Sequence, residues 1–142
     1  MSRRVLVVDD ERNIRAMLEQ MLVLADYEVH CVESGEEALE CARSGDFDLA
    51  LLDVQMAGLD GIETLRRLLA LNPDLQVILL TGQATIRTGV EAIKEGAVEF
   101  LEKPARLEAL LERIERARES AAETRKQRVA DRVNDILRSK GW

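Results

Sequence analysis

Aromatic side chains are nearly missing from this chain: one Trp, one Tyr and two Phe in 142 residues. Stacking on bases or sugar rings is therefore not expected to be its main business. Positive charge is also short, with 20 Lys and Arg against 27 Asp and Glu and a net charge of -7. A general nucleic-acid binder shows the opposite balance. The two cysteines, Cys31 and Cys41, lack metal-ligand spacing and read as reduced thiols of a cytoplasmic protein. No apolar run approaches membrane-spanning length, and Arg3-Arg4 precedes only Val5 to Val8, too short a stretch for an export signal. What is present suffices for one domain with a real core, since 46% of the residues are hydrophobic.

The charge is uneven. Residues 120–142 carry Arg125, Lys126, Arg128, Arg132, Arg138 and Lys140 against Glu123, Asp131 and Asp135, a surplus of three bases. The preceding residues hold the other 14 bases and 24 acids, a net of -10. The shift places a boundary near Ser120: a body over 1–119 and a basic extension over 120–142. Val129, Val133, Ile136 and Leu137 recur at helical spacing, so the extension reads either as a helix over 127–138 that packs against a second copy or the acidic body, or as a solvated linker.

The body alternates two periodicities. Val5–Val8, Leu49–Leu52 and Leu75–Leu80 are near-continuous apolar runs suited to buried, central strands, and Val98–Leu101 reads as a last strand. Tyr27-Glu28-Val29-His30-Cys31 alternates and suits an edge strand, which puts His30 on the surface. Helical patterns separate these runs. The first carries Ile14, Met17, Leu18, Met21 and Leu22, with both methionines expected toward the core. Ser34 with Glu37, and Asp60 with Glu63, have capping spacing, and Gly45 and Gly96 are expected to close helices. Five strands alternating with five helices imply a doubly wound parallel sheet of flavodoxin-like order 2-1-3-4-5, with a C-terminal helical extension.

In such sheets ligands bind outside the carboxyl ends of the strands, where the strand order reverses. The strand ends here carry Asp9 and Asp10, Asp53, Thr81 and Lys103. Two adjacent carboxylates at the end of a buried strand need a cation, because like charges raise each other's pKa and burial is costly. Three carboxylates without His or Cys favour Mg²⁺. Lys103 and the Thr81 hydroxyl suit phosphate, so the set reads as a phosphoryl-transfer site with Asp53, standing alone on its strand, as candidate nucleophile.

The motifs VLVVDDE, LALLDVQMAGLDG, LLTGQA and FLEKP, in this order, resemble a receiver domain of a two-component response regulator, most closely the nitrogen-regulator type, over about residues 3–119. The resemblance implies that Asp53 accepts a phosphoryl group from a sensor histidine kinase. It implies that Asp10 binds Mg²⁺ directly, with Asp9 assisting partly through water and the Gln55 backbone carbonyl as a further ligand. Thr81 and Lys103 would hold the phosphoryl oxygens, Phe100 matches the aromatic switch, and the Lys103-Pro104 bond is expected cis. The chain would be a signalling module rather than an enzyme, catalysing only its own phosphoryl transfer and loss. Its partners would be the kinase and a second copy, paired through the fourth helix, fifth strand and fifth helix or through the extension. Neither membrane nor direct DNA binding is expected, residues 120–142 being too few for a helix-turn-helix domain. One departure stands out: Met56-Ala57-Gly58 replaces the usual Met-Pro-Gly, which loosens that loop without removing a catalytic group.

Two other classes compete. A haloacid-dehalogenase-like phosphatase also uses a strand-end Asp, Mg²⁺, Thr and Lys, but wants Asp-x-Asp on its first strand, where this chain has Asp9-Asp10-Glu11. A receiver-like scaffold that is never phosphorylated has no need of the complete acid set with Thr81 and Lys103.

Overall fold

The first strand, β1 (Arg4–Val8), alternates its side chains between two separate cores. Leu6 and Val8 face one, Val5 and Val7 the other. A strand buried on both faces needs helices on both, the condition under which parallel sheets are found. The computed structural model describes residues 4–53, 60–81, 86–102 and 107–139. After β1 come α1 (Arg12–Leu24), β2 (Glu28–Val32), α2 (Gly35–Ser44), β3 (Leu49–Asp53), α3 (Gly61–Leu71), β4 (Gln76–Thr81), α4 (Ile86–Lys94), β5 (Glu99–Glu102) and α5 (Leu107–Ser139). The five strands are all parallel, in the order β2-β1-β3-β4-β5, as the sequence patterning implies. One core lies under Leu39 of α2, Leu65 and Leu68 of α3 and Ala92 of α4. The other lies under Leu18 and Leu22 of α1 and Leu110, Ile114 and Ala117 of α5. Among the described residues no helix is long and apolar enough to cross a membrane.

Local chemistry sets the helix ends. Ser34 Oγ accepts from the Glu37 N–H at 3.1 Å, while the Glu37 carboxylate accepts from the Glu33 N–H at 3.2 Å, one residue ahead of a standard capping box. Asp60 caps α3 through the Glu63 N–H at 2.8 Å. Gly96, at φ +109°, ends α4 by donating to the Ile93 carbonyl. Gly45 closes α2 for a different reason from the one its type suggests. Its φ is -121°, open to any residue, but a Cβ there would lie 2.7 Å from the Phe47 ring. Met17 departs from expectation. It is 39% exposed, because the buried stripe of α1 centres on Leu18 and Leu22, and Met17 sits round the helix from it. Met21 packs at the margin of that core.

The basic extension is part of α5, which runs for 33 residues without a break. No Gly or Pro lies between Leu107 and Ser139 to end it. Two contacts aim this helix. The Tyr27 hydroxyl donates to Glu115 at 2.8 Å, with Arg118 at 3.2 Å from the same carboxylate. Further along, Arg128 donates to Asp74 at 2.6 Å. At 3.6 residues per turn, Val129, Val133 and Ile136 lie roughly a quarter turn round from the face carrying Leu110, Ile114 and Ala117. They are exposed, Val129 to 63%, as is every described side chain from 126 to 139 on all faces of the helix.

Candidate functional site

β1 and β3 are hydrogen-bonded neighbours with Val8 opposite Leu52. The next residues, Asp9 and Asp53, therefore emerge side by side at the carboxyl rim, where the strand order reverses. Asp9 is 1% and Asp53 4% exposed, whereas Asp10 stands in solvent. Carboxylate oxygens of all three lie within 4.8 Å of one another.

The turn carrying Asp9 and Asp10 is pinned on several sides. The Asp9 N–H donates to the Val32 carbonyl at 3.2 Å. The Asp9 side chain accepts from the Glu11 N–H at 3.0 Å, a local turn that closes the exit from β1. Arg15 donates to the Asp9 carbonyl at 2.8 Å. No sequence signal pointed to Arg15 or to the Glu11 N–H. Both contacts depend on how the chain turns, not on a face of α1.

The donor set fits a hard divalent cation. All three ligands are oxygens, and no His or Cys joins the cluster. An octahedral ion with oxygens at about 2.1 Å spans about 4.2 Å between opposite ligands. A 4.8 Å cluster therefore suits two direct carboxylates with the third reached through water. Net negative charge at a buried rim adds to the attraction for a cation.

Thr81 is the last residue of β4, one past Leu80, which pairs with Asp53 across β3 and β4. Its backbone pairs with Glu102, so β5 delivers the chain to the same rim immediately before Lys103. Phe100 lies on β5 opposite Leu79. Gln55, the Met56-Ala57-Gly58 loop, Lys103 and Pro104 lie outside the described residues. His30 is exposed on the β2 edge, opposite Leu6 of β1, with its ring 6.2 Å from Phe47, and it is not part of the acidic cluster. Burial pushes the Cys31 thiol up, with Glu19 adding to the shift.

The family model of the response regulator receiver domain matches residues 5–115. The transcriptional regulatory protein ZraR of Escherichia coli K12 is 42% identical over 113 residues, 80% of this chain and 26% of that protein. The chain thus spans about a quarter of the length of such relatives. Among solved structures, NtrX from Brucella abortus superposes with a TM-score of 0.84 at 33% identity, covering 89% of this chain and 29% of that one. A response regulator protein from Burkholderia pseudomallei, solved with a phosphorylated aspartic acid, calcium ion and citrate, superposes at 0.76 with 28% identity, covering 96% and 85%. Sheet order, acidic rim and these likenesses agree, and the chain belongs to the response regulator receiver-domain family of two-component signalling, a domain phosphorylated on aspartate.

Proposed function

We propose that Asp53 is the phosphoacceptor and that Asp9, Asp10, Asp53 and the Gln55 carbonyl hold Mg²⁺ beside it. The observation that carries this reading is the buried Asp53 carboxylate at the end of β3, within 4.8 Å of Asp9 and Asp10. A divalent cation held there offsets the charge that builds on the transferring phosphoryl oxygens. An Asp53 oxygen attacks the phosphorus of a sensor kinase's phosphohistidine. The P–N bond breaks, an acyl phosphate forms, and the electron pair leaves with the imidazole, which takes up a proton. Lys103 and Thr81 take the phosphoryl oxygens, supported by the delivery of β4 and β5 to the same rim. The new charge draws Thr81 toward it, and Phe100 fills the space vacated. The chain then acts as a cytoplasmic switch rather than as an enzyme on other substrates.

We divide the chain into a receiver unit over 1–119 and an extension over 120–142. Receptive surfaces for a second copy are the α4–β5–α5 face, with Val90 and Ile93 exposed, and the Val129–Leu137 stripe. The direct test of the site is phosphotransfer from an autophosphorylated histidine kinase, with and without EDTA. Wild type takes label only with Mg²⁺, and Asp53→Asn takes none. Labelling of Asp53→Asn at the wild-type rate rejects the assignment. Turnover of many phosphoesters instead of a single acyl phosphate rejects the switch reading.

A further inference from the structure

We infer that Arg15 is a positioning residue for the acidic pocket, clamping the turn that carries Asp9 and Asp10 to the β2–α2 loop. The inference rests on the reading of that pocket as a Mg²⁺ site. Three residues, Asp9 to Glu11, connect β1 to α1, and none is Gly or Pro. Asp10 is exposed, and its peptide unit sets where its side chain starts. The Asp9 carbonyl belongs to the same planar unit as the Asp10 N–H, so holding that carbonyl fixes the plane from which the Asp10 side chain departs. Arg15 Nη1 holds it at 2.8 Å.

The clamp has one further anchor, since the Arg15 N–H makes only the ordinary helical bond to the Glu11 carbonyl at 3.1 Å, which substitutions of the side chain leave in place. The second arm, Nη2, lies 3.7 Å from the Glu33 carboxylate. Glu33 is in turn fixed through its N–H by the Glu37 carboxylate that caps α2. The Arg15 side chain is 18% exposed and that of Glu33 62%, so the carbonyl contact is the stronger and the ion pair is the weaker, solvent-screened one. A planar fork reaches both acceptors at once, which a lysine ammonium does not do in the same geometry.

A guanidinium bonded to the Asp9 carbonyl has a second effect of opposite sign. Its charge competes with a bound cation, so by electrostatics alone its removal tightens Mg²⁺. By positioning, its removal weakens Mg²⁺. Groups that orient metal ligands are worth about 10- to 100-fold in affinity. Arg15 acts through a carbonyl next to the ligand, so the low end applies.

The experiment is isothermal titration of Mg²⁺ into the full chain, with amide NMR spectra to verify the fold. Arg15→Met is expected to raise the Mg²⁺ Kd about tenfold. It is also expected to broaden the Asp10 and Glu11 amide signals without disturbing the sheet. Arg15→Lys keeps the charge and one donor and recovers part of the loss. Glu33→Gln raises Kd about twofold, in keeping with an exposed pair. An unchanged or tighter Kd in Arg15→Met overturns the inference. If that variant does not fold, unchanged Kd values in both Arg15→Lys and Glu33→Gln overturn it. Asp10→Asn separates the two levels of the argument. If it binds Mg²⁺ as wild type does, the site reading fails and takes the clamp with it. If it loses Mg²⁺ while Arg15→Met does not, only the clamp fails.

Discussion

Asp53→Asn is expected to make the metal-free protein more stable, although it destroys the proposed function. The substitution keeps the shape of a buried side chain and removes one of three negative charges. Unit charges 4.8 Å apart repel by about 3.5 kcal/mol at an effective dielectric constant near 20. That figure applies to Asp9, which is buried with Asp53. For exposed Asp10 the water-like value, about 1 kcal/mol, is the better guide. Neighbouring dipoles and cations offset a large part of the sum, and a net gain of about 2 kcal/mol is expected. For a chain of this length that raises Tm by about 6–10 °C. Mg²⁺ reverses the order. At a hundredfold excess over Kd, a bound ligand adds about 2.7 kcal/mol to wild type, and much less to a variant lacking one carboxylate. Thermal melts followed by circular dichroism, in EDTA and in saturating Mg²⁺, give the four values needed. Asp53→Asn less stable than wild type in EDTA refutes the reasoning, since the three acids would then not be under mutual repulsion.

Tyr27→Phe removes the hydroxyl that ties the residue just before β2 to Glu115 of α5 and should cost about 1 kcal/mol in urea unfolding. Burial, then the Glu115 hydrogen bond, raises the phenol above its ordinary value of about 10, so its contribution is complete below that pH and is lost as pH climbs through the raised value. The gap between wild type and Tyr27→Phe should therefore close only on the alkaline side, and a gap constant through that window refutes the assignment. Gly96→Ala is expected to lose about 1–3 kcal/mol, because φ is +109° and its Cβ would lie 2.6 Å from Leu69 Cδ1. A neutral result in chemical denaturation would mean that the α4 exit relaxes. A chain ending at Ser120 loses the exposed Val129–Leu137 stripe, and if copies pair through it, light scattering should show a dimer becoming a monomer. The same number of subunits for the two chains excludes pairing through the extension.

The strands were legible because each rests on near neighbours in the chain, and their order followed from the strict alternation of strands and helices. Continuous apolar runs such as Leu49–Leu52 admit only a doubly covered strand, and the mixed Tyr27–Cys31 stretch admits an edge. Both came out so. The rim residues followed by counting, since strand ends in a doubly wound sheet share one edge. The Asp9, Asp10 and Asp53 cluster is the result of that count.

Other features required the folded chain. Asp9 and Asp10 are adjacent in sequence, yet one is buried and the other exposed, because the chain turns between them. Met17 fits the helical period but falls off the face that the sheet covers. Gly45 looks like a left-handed stop and is instead a gap left for Phe47, which only the position of that ring reveals. Arg15 reaches Asp9 around a turn, and Arg128 reaches Asp74 across 54 positions. For the extension, the sequence by itself permitted a helix, through its period and its lack of Gly and Pro, and left a solvated linker open; the structure made it a continuation of α5. The tertiary structure decided its direction, because a helix has no preferred azimuth until contacts such as Tyr27 with Glu115 and Asp74 with Arg128 hold it.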